Sequence, residues 1–270
     1  MRKLNLFKRI RIKMRKWINR NDIRTKSISA MKWVLKELFI GLVVGIAVVI
    51  ATSYMQEQER YNRLKDELST VHIGESYEYI KSKFGVPVIN MSDGERNDIY
   101  YKFEDAVLRC VFEDDELIAY MITVKDRNLY KVRENIHMDK SVSLLQFYYT
   151  DFSVNCGEIS WNVPENNDDY AYYQEVFYGA GPEDYNYYVV GSYKDYRKES
   201  IYHELLGWCN RNLVENPEKA DMVELQRFRE ILQPNTYGMI KSGYENEIEI
   251  ISFDENMRNY GSILFDDWSN

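Results

Sequence analysis

Residues 98–124 read DIYYKFEDAVLRCVFEDDELIAYMITV. Three runs rich in β-branched and aromatic residues, Asp98–Phe103, Val107–Phe112 and Leu117–Val124, are separated by acidic turns at Glu104-Asp105 and Glu113–Glu116. Such spacing is hairpin grammar and predicts a three-stranded antiparallel meander. Upstream, residues 71–90 read VHIGESYEYIKSKFGVPVIN. Gly74 closes one element, Glu75–Phe84 is predicted as a short helix, and Gly85 followed by Pro87 stops it. Further back, Glu57–Val71 is charged, with Tyr61, Leu64, Leu68 and Val71 at loose helical spacing, and is predicted as a helical stalk.

The stalk follows an apolar run. Leu38–Ala51 reads LFIGLVVGIAVVIA without a charge, and Thr52-Ser53-Tyr54-Met55 extends it. At about 1.5 Å per residue these positions span roughly 27 Å, close to the ~30 Å of a hydrocarbon core. Trp33 and Tyr54 suit the two interfaces. Before the run, residues 1–37 carry 13 Lys+Arg against Asp22 and Glu37, a charge of +11. The net charge of the chain is −8, so the remainder carries −19. The far side of the run opens with Gln56-Glu57-Gln58-Glu59. Positive-inside bias then places the N-terminus in the cytoplasm and residues 56–270 outside. The competing readings are a cleaved signal peptide, for which a charged 37-residue leader is long, and a buried core helix. No Cys follows the run before Cys110, so there is no lipobox.

The leader mixes its bases with Leu4, Phe7, Ile10, Ile12 and Trp17, a surface suited to anionic lipid headgroups. The plainer reading is a topogenic charge cluster. No nucleic-acid fold accompanies it, and no nucleic-acid partner is expected. The organisation expected is a leader over 1–32, a transmembrane helix over 33–55, a stalk over 56–71 and an extracytoplasmic domain over 72–270, with a sub-boundary left open near 126–140.

Beyond the meander, residues 140–202 hold 12 of the 23 tyrosines. Turn residues interrupt them at Asn166–Asp169 and Gly179–Pro182, so Tyr170–Phe177 and Tyr185–Ser192 are predicted as paired strands. Lys198–Arg211 and Lys219–Leu232 have helical spacing, and Glu247–Phe253 with Ser262–Phe265 reads as a last strand pair. The fold class expected is α+β. A transmembrane helix leads into a helix plus antiparallel meander, extended by a Tyr-rich antiparallel sheet and helices.

The composition excludes several classes. Apolar residues at 45% are too many for a disordered chain, and 13 Gly with 5 Pro exclude collagen-like designs. Cys110, Cys156 and Cys209 lack zinc-site spacing and read as buried thiols, with one disulfide as the alternative outside the cytosol. His72, His137 and His203 are scattered, and none falls in a hydrolase or zinc-protease frame. The pairs Asp114-Asp115, Asp168-Asp169 and Glu183-Asp184 read as solvated turns. Glu165-Asn166-Asn167-Asp168-Asp169 lacks the alternation and central Gly of an EF-hand loop. No phosphate loop follows any strand. No catalytic residue, metal ligand or cofactor is expected.

The tyrosines are the most informative feature of the outer part. Tyr pairs a flat apolar face with a hydroxyl at low entropy cost, which suits protein or glycan recognition. The binding face expected is Tyr170, Tyr172, Tyr178, Tyr185 and Tyr187. The alternative is that Tyr is simply a good strand residue, half buried.

Two resemblances add to this reading. Ile73-Gly74-Glu75-Ser76, Phe84-Gly85-Val86-Pro87, Tyr100–Phe103, Val107–Phe112 and Leu117–Tyr120 resemble the repeat unit of the SmpA/OmlA outer-membrane lipoproteins (BamE-like), similar also to the repeat of β-lactamase inhibitory proteins. That resemblance spans 72–125 and implies the helix-plus-meander unit; without a lipobox it does not carry over outer-membrane anchoring. More of the chain resembles the ETEC domain family of bacterial single-pass membrane proteins. This second likeness rests on Tyr173–Gly179 with Tyr185–Gly191, and on Phe228-Arg229 followed by Pro234–Gly238. It implies the anchor and the domain extent, and no known activity. The function expected is a membrane-anchored extracytoplasmic binding or scaffold protein with an unidentified protein or glycan partner. A sensor or effector in envelope stress or phage defence is second, and a cell-wall enzyme last.

Overall fold

The computed structural model describes residues 2–132, 140–152, 158–162, 172–179, 186–193, 199–215, 222–244 and 264. The chain divides into two compact units, Met1–Arg60 and Tyr61–Asn270. The first unit consists of helix α1 (Arg2–Leu68), whose last turns belong to the second. From Met31 onward α1 is long and apolar enough to cross a membrane, with a mean hydropathy of 2.5 over its most apolar window and no residue of that window buried.

The second unit is an α+β fold around one antiparallel sheet. Helix α2 (Tyr77–Phe84) begins at Ser76, whose Oγ accepts from Tyr79 N at 3.2 Å. It ends at Gly85, in a left-handed conformation (φ 79°) that L side chains avoid. Strands β1 (Ile89–Asp93), β2 (Arg96–Lys102), β3 (Ala106–Glu113) and β4 (Glu116–Val124) follow as consecutive hairpins. Asp114 and Asp115 turn β3 into β4 with φ of 51° and 70°, the conformation a two-residue hairpin loop needs and short acidic side chains tolerate. α2 is tied to that hairpin: Gly74 N donates to Leu117 O at 2.9 Å and Leu117 N to Glu75 O at 2.8 Å.

After a short ladder of β5 (Lys131–Val132) with β6 (Val142–Ser143) and a single helical turn α3 (Tyr149–Phe152) come β7 (Glu158–Asn162), β8 (Tyr172–Tyr178) and β9 (Tyr187–Tyr193). Helix α4 (Glu199–Cys209) widens into a π-helical stretch at Asn210–Glu215, and α5 (Met222–Arg229) precedes β10 (Thr236–Ile240). The sheet has eight strands in the order β1-β2-β3-β4-β10-β9-β8-β7. β10 lies between β4 and β9, pairing Tyr237 with Ile122 on one side and with Val190 on the other. The meander and the Tyr-rich strands are therefore one sheet.

Alternation along the strands sends residues to two buried faces. Ile99, Leu108, Cys110, Phe112 and Ile122 pack on one side with Leu68 of α1, Ile80 of α2, Trp208 of α4 and Phe228 of α5. Tyr100, Val107, Val111, Met121, Val176, Val189 and Ile240 pack on the other, with Leu264. The expected stalk thus ends inside the domain, since Leu68 and Val71 are core residues and Tyr61 and Leu64 pack against them. The expected final strand pair, Glu247–Phe253 with Ser262–Phe265, lies outside the described residues apart from Leu264.

Candidate functional site

The register sets Tyr172 opposite Tyr193 and Tyr178 opposite Tyr187. Of the five tyrosines expected to form a binding face, Tyr172 and Tyr187 retain only 5% and 8% exposure and pack in the second core cluster with Val176, Val189 and Tyr193. Tyr178, at 52% exposure, stands edge-on to the Tyr187 ring with centroids 5.1 Å apart. Tyr170 and Tyr185 lie outside the described residues. Among the described residues the tyrosine offered at this rim is therefore Tyr178, braced by its cross-strand partner Tyr187. The cause is the sheet itself: both of its faces are covered, so alternation distributes the tyrosines between two cores rather than between core and water.

The neighbouring odd-numbered positions build a buried polar network that the sequence reading did not single out. Glu175 on β8 is fully enclosed, as is Arg229 on α5, and Arg229 Nε donates to Glu175 Oε1 at 3.0 Å and to Oε2 at 3.2 Å. Tyr173 Oη donates to the same Oε1 at 2.6 Å, and Arg229 Nη1 donates to Gln226 Oε1 at 3.1 Å. Nearby, the Tyr149 and Ser192 hydroxyls share a 2.8 Å hydrogen bond, and Tyr202 Oη donates to Ser192 O at 2.8 Å. Burial pushes the Glu175 carboxyl up, against the opposing pull of the Arg229 charge and its hydrogen bonds. Burial also pushes the Cys209 thiol up to about 12, helped by the Glu175 charge, and raises Cys110 well above an ordinary thiol. Both cysteines are free and buried, and both stay protonated at neutral pH, so neither is an activated nucleophile. Cys156 lies outside the described residues. The network commits its charges to one another and clamps β8 to α5. A glutamate inside the apolar run Tyr172–Tyr178 was the signal that could have found it.

The remaining sequence candidates that the structure describes do not converge. His72 and His203 are half-buried, the latter beside the Tyr202 ring, and His137 is outside the described residues. Asp114-Asp115 form the β3–β4 turn. Asp168-Asp169, Glu183-Asp184 and the run 165–169 are outside the described residues. Among the described residues no three His, Cys, Asp or Glu side chains converge as a metal site would require.

No family model matches the chain, and no curated protein does. Among solved structures it shows a loose likeness to a cysteine-rich secretory protein of Staphylococcus aureus subsp. aureus Mu50, with 9% identity and a TM-score of 0.32. The likeness covers 66% of this chain and 47% of that one, so the chain spans less than half of its length. A superposition that loose carries no functional argument.

Proposed function

We propose that the chain is a single-pass membrane protein that holds an α+β binding or scaffold domain outside the cytoplasmic membrane, with no catalytic role. The observation that carries the reading is the surface of α1. Leu38, Phe39, Leu42, Val43, Val44, Ile46, Val49 and Ile50 are all exposed along one uncharged stretch. Each such side chain gains about 1.5–3 kcal/mol on leaving water, and lipid is the environment that supplies this along a whole helix. The +11 leader against Gln56–Glu59 supports a cytoplasmic N-terminus. The bases of the leader would meet anionic headgroups at that surface. Within the domain, the mutual commitment of Glu175, Arg229 and Tyr173 favours a structural over a chemical use of the core charges.

Tyr178 at the rim is the contact residue of this reading, for an unidentified protein or glycan. Membership in the ETEC domain family, and a SmpA/OmlA-like unit over 72–125, belong to the same proposal. They are supported by the quoted segments alone.

Topology is tested by a periplasm-active reporter fused after Asn270 and by extraction of membranes at alkaline pH. The reporter should be active and the chain should stay in the pellet; an inactive reporter, or release of the chain, overturns the reading. Tyr178→Ala should reduce partner recovery in crosslinking proteomics without changing the melting temperature, whereas undiminished recovery removes the rim as the contact.

A further inference from the structure

Among the described residues the eight-stranded sheet ends in two edges, β1 and β7. β7 begins with the charged Glu158, and its Trp161 Nε1 donates to Asn210 Oδ1 at 2.9 Å, so that edge is both charged and tied to the helical layer. β1 carries its single charge, Asp93, at the turn end, and among the described residues no side-chain hydrogen bond ties it to a helix. From Gly85 to Ser92 the chain reads GVPVINMS without a charge, and Val86 and Val88 are 85% and 49% exposed. Natural edge strands usually carry a Lys, a charge on the inner face or a cover against added strands.

The hairpin geometry shows which backbone groups of β1 face outward. Gly94-Glu95 is a two-residue turn closed by the Asp93–Arg96 pair, with Gly94 at φ 66°. That closing pair is hydrogen-bonded, and pairs alternate along an antiparallel ladder, so Met91–Asp98 is bonded as well. Asn90 and Ser92, opposite Ile99 and Asn97, therefore turn their N–H and C=O groups away from β2. Both residues are exposed, and no backbone hydrogen bond from another described residue reaches either. Val88 N donates inward to Tyr100 O at 2.8 Å, so the outward row runs from Asn90 to Ser92.

We infer that β1 is a dimerisation edge, pairing antiparallel with β1 of a second copy about a two-fold axis at Met91. In that register Asn90 faces the partner's Ser92 and Ser92 faces the partner's Asn90, each pair exchanging both backbone hydrogen bonds. Met91 meets the partner's Met91 at the closer, non-hydrogen-bonded spacing. Asp93, the only charge of the strand, faces the partner's Ile89 rather than another carboxylate. Moving the axis to Asn90 would set Ser92 against the partner's Val88, whose N–H is already given to Tyr100. The register centred on Met91 uses the outward groups of both Asn90 and Ser92 on each copy, as an isologous contact requires.

A short edge contact is weak between molecules free in solution. The anchor reading proposed above supplies the missing concentration, since two copies held in one bilayer meet at a far higher local concentration. Gly41 and Gly45, one helical turn apart with open space beside both, allow close approach of the same two chains within the lipid.

The test uses the full chain in its own membranes, in a Cys156→Ser background that keeps the buried Cys110 and Cys209. Under mild oxidation Met91→Cys should give a disulfide dimer on a non-reducing gel. Glu95→Cys, in the turn about three residues beyond the axis on each copy and so roughly 20 Å from its counterpart along the strand direction at ~3.4 Å per residue, should not. Adding Ser92→Pro to Met91→Cys should abolish the dimer while protease resistance of the monomer is kept, because the lost N–H points away from β2. Co-expressed Asn90→Cys and Ser92→Cys chains, both altered at exposed positions, should be joined by a short bismaleimide and keep the result readable if Met91→Cys folds poorly. No crosslink in either design, equal crosslinking through Glu95→Cys, or a dimer indifferent to Ser92→Pro overturns the inference. Release of the chain at alkaline pH would instead remove the anchor reading, and the β1 crosslinks would still report on the edge.

Discussion

Arg229 on α5 donates through Nε to both carboxylate oxygens of Glu175 on β8, at 3.0 and 3.2 Å, and the two side chains retain 2% and 0% of their exposure. A charge pair this deep is held together by desolvation as much as by attraction, because neither partner can return to water without opening the domain. The consequence is an asymmetry between breaking the pair and replacing it.

Arg229→Met leaves Glu175 buried and uncompensated, and should cost about 3–5 kcal/mol in denaturant unfolding of the full chain in detergent near neutral pH. Glu175→Leu combined with Arg229→Met should cost clearly less than the single change. The loss should also depend on pH with a definite sign. Burial already raises the folded-state value of Glu175 above its ordinary 4.5, and removing Arg229 takes away the largest opposing influence. The folded chain then holds its proton to higher pH than the unfolded chain, so stability falls as pH rises from 4.5 through the folded value. The deficit of Arg229→Met should shrink on acidification toward pH 4.5, and a deficit that grows would contradict the assignment.

Asn235 does the work of a backbone group. Its Oδ1 accepts from Tyr193 N at 2.8 Å and its Nδ2 donates to Tyr193 O at 2.6 Å, so the side-chain amide extends the β10–β9 ladder by one rung. Asn235→Ala orphans a buried donor and a buried acceptor, at about 1–3 kcal/mol for each unsatisfied group. Asn235→Asp keeps the acceptor but presents an oxygen to the Tyr193 carbonyl. It should be at least as destabilising at neutral pH in the same unfolding assay.

Much of the α+β architecture is legible in the chain; the short elements β1, β5, β6, α3 and β7 are not, and the consequential omission is β10. Hairpin grammar places β2, β3 and β4 within two residues of their observed ends, and the Gly85 stop sets the end of α2. The Tyr-rich pair is found one or two residues late, as Tyr172–Tyr178 and Tyr187–Tyr193. β10 is missed because Pro234-Asn235-Thr236-Tyr237-Gly238 reads locally as a turn, and only pairing with strands distant in sequence makes it a strand. Since β10 joins the two halves of the sheet, missing it leaves open whether one domain or two follow the helix. The Tyr positions were legible while their exposure was not, because period-two alternation separates faces without saying which face is wet.

Gly238 is the residue that lets β10 fit. A Cβ there would lie 2.3 Å from Tyr120 O and 2.7 Å from Met121 Cγ, and the nearer obstacle is backbone that cannot swing away. Gly238→Ala should exceed the ~1–3 kcal/mol usual for overpacking and separate β4 from β10. Hydrogen exchange should accordingly show faster opening at Ile122 and Tyr237. Gly94→Ala is the useful contrast, strained by its φ of 66° but with open space around the new methyl, and should leave the exchange of those two amides unchanged.

The buried thiols give a prediction that needs no structural change. In a Cys156→Ser chain, only Cys110 and Cys209 remain, both enclosed and both raised by burial, Cys209 to about 12. At pH 8 almost none of the Cys209 population is thiolate, and reagent access would in any case require opening of the core. A disulfide-exchange reagent should therefore titrate no thiol in the folded chain and two after denaturation. Adding Arg229→Met loosens the helix that covers Glu175 and should speed native-state labelling of Cys209, which neighbours that carboxylate, more than labelling of Cys110 on the meander. Equal acceleration at both cysteines would mean that the clamp stabilises the whole unit rather than the α4–α5 side of it.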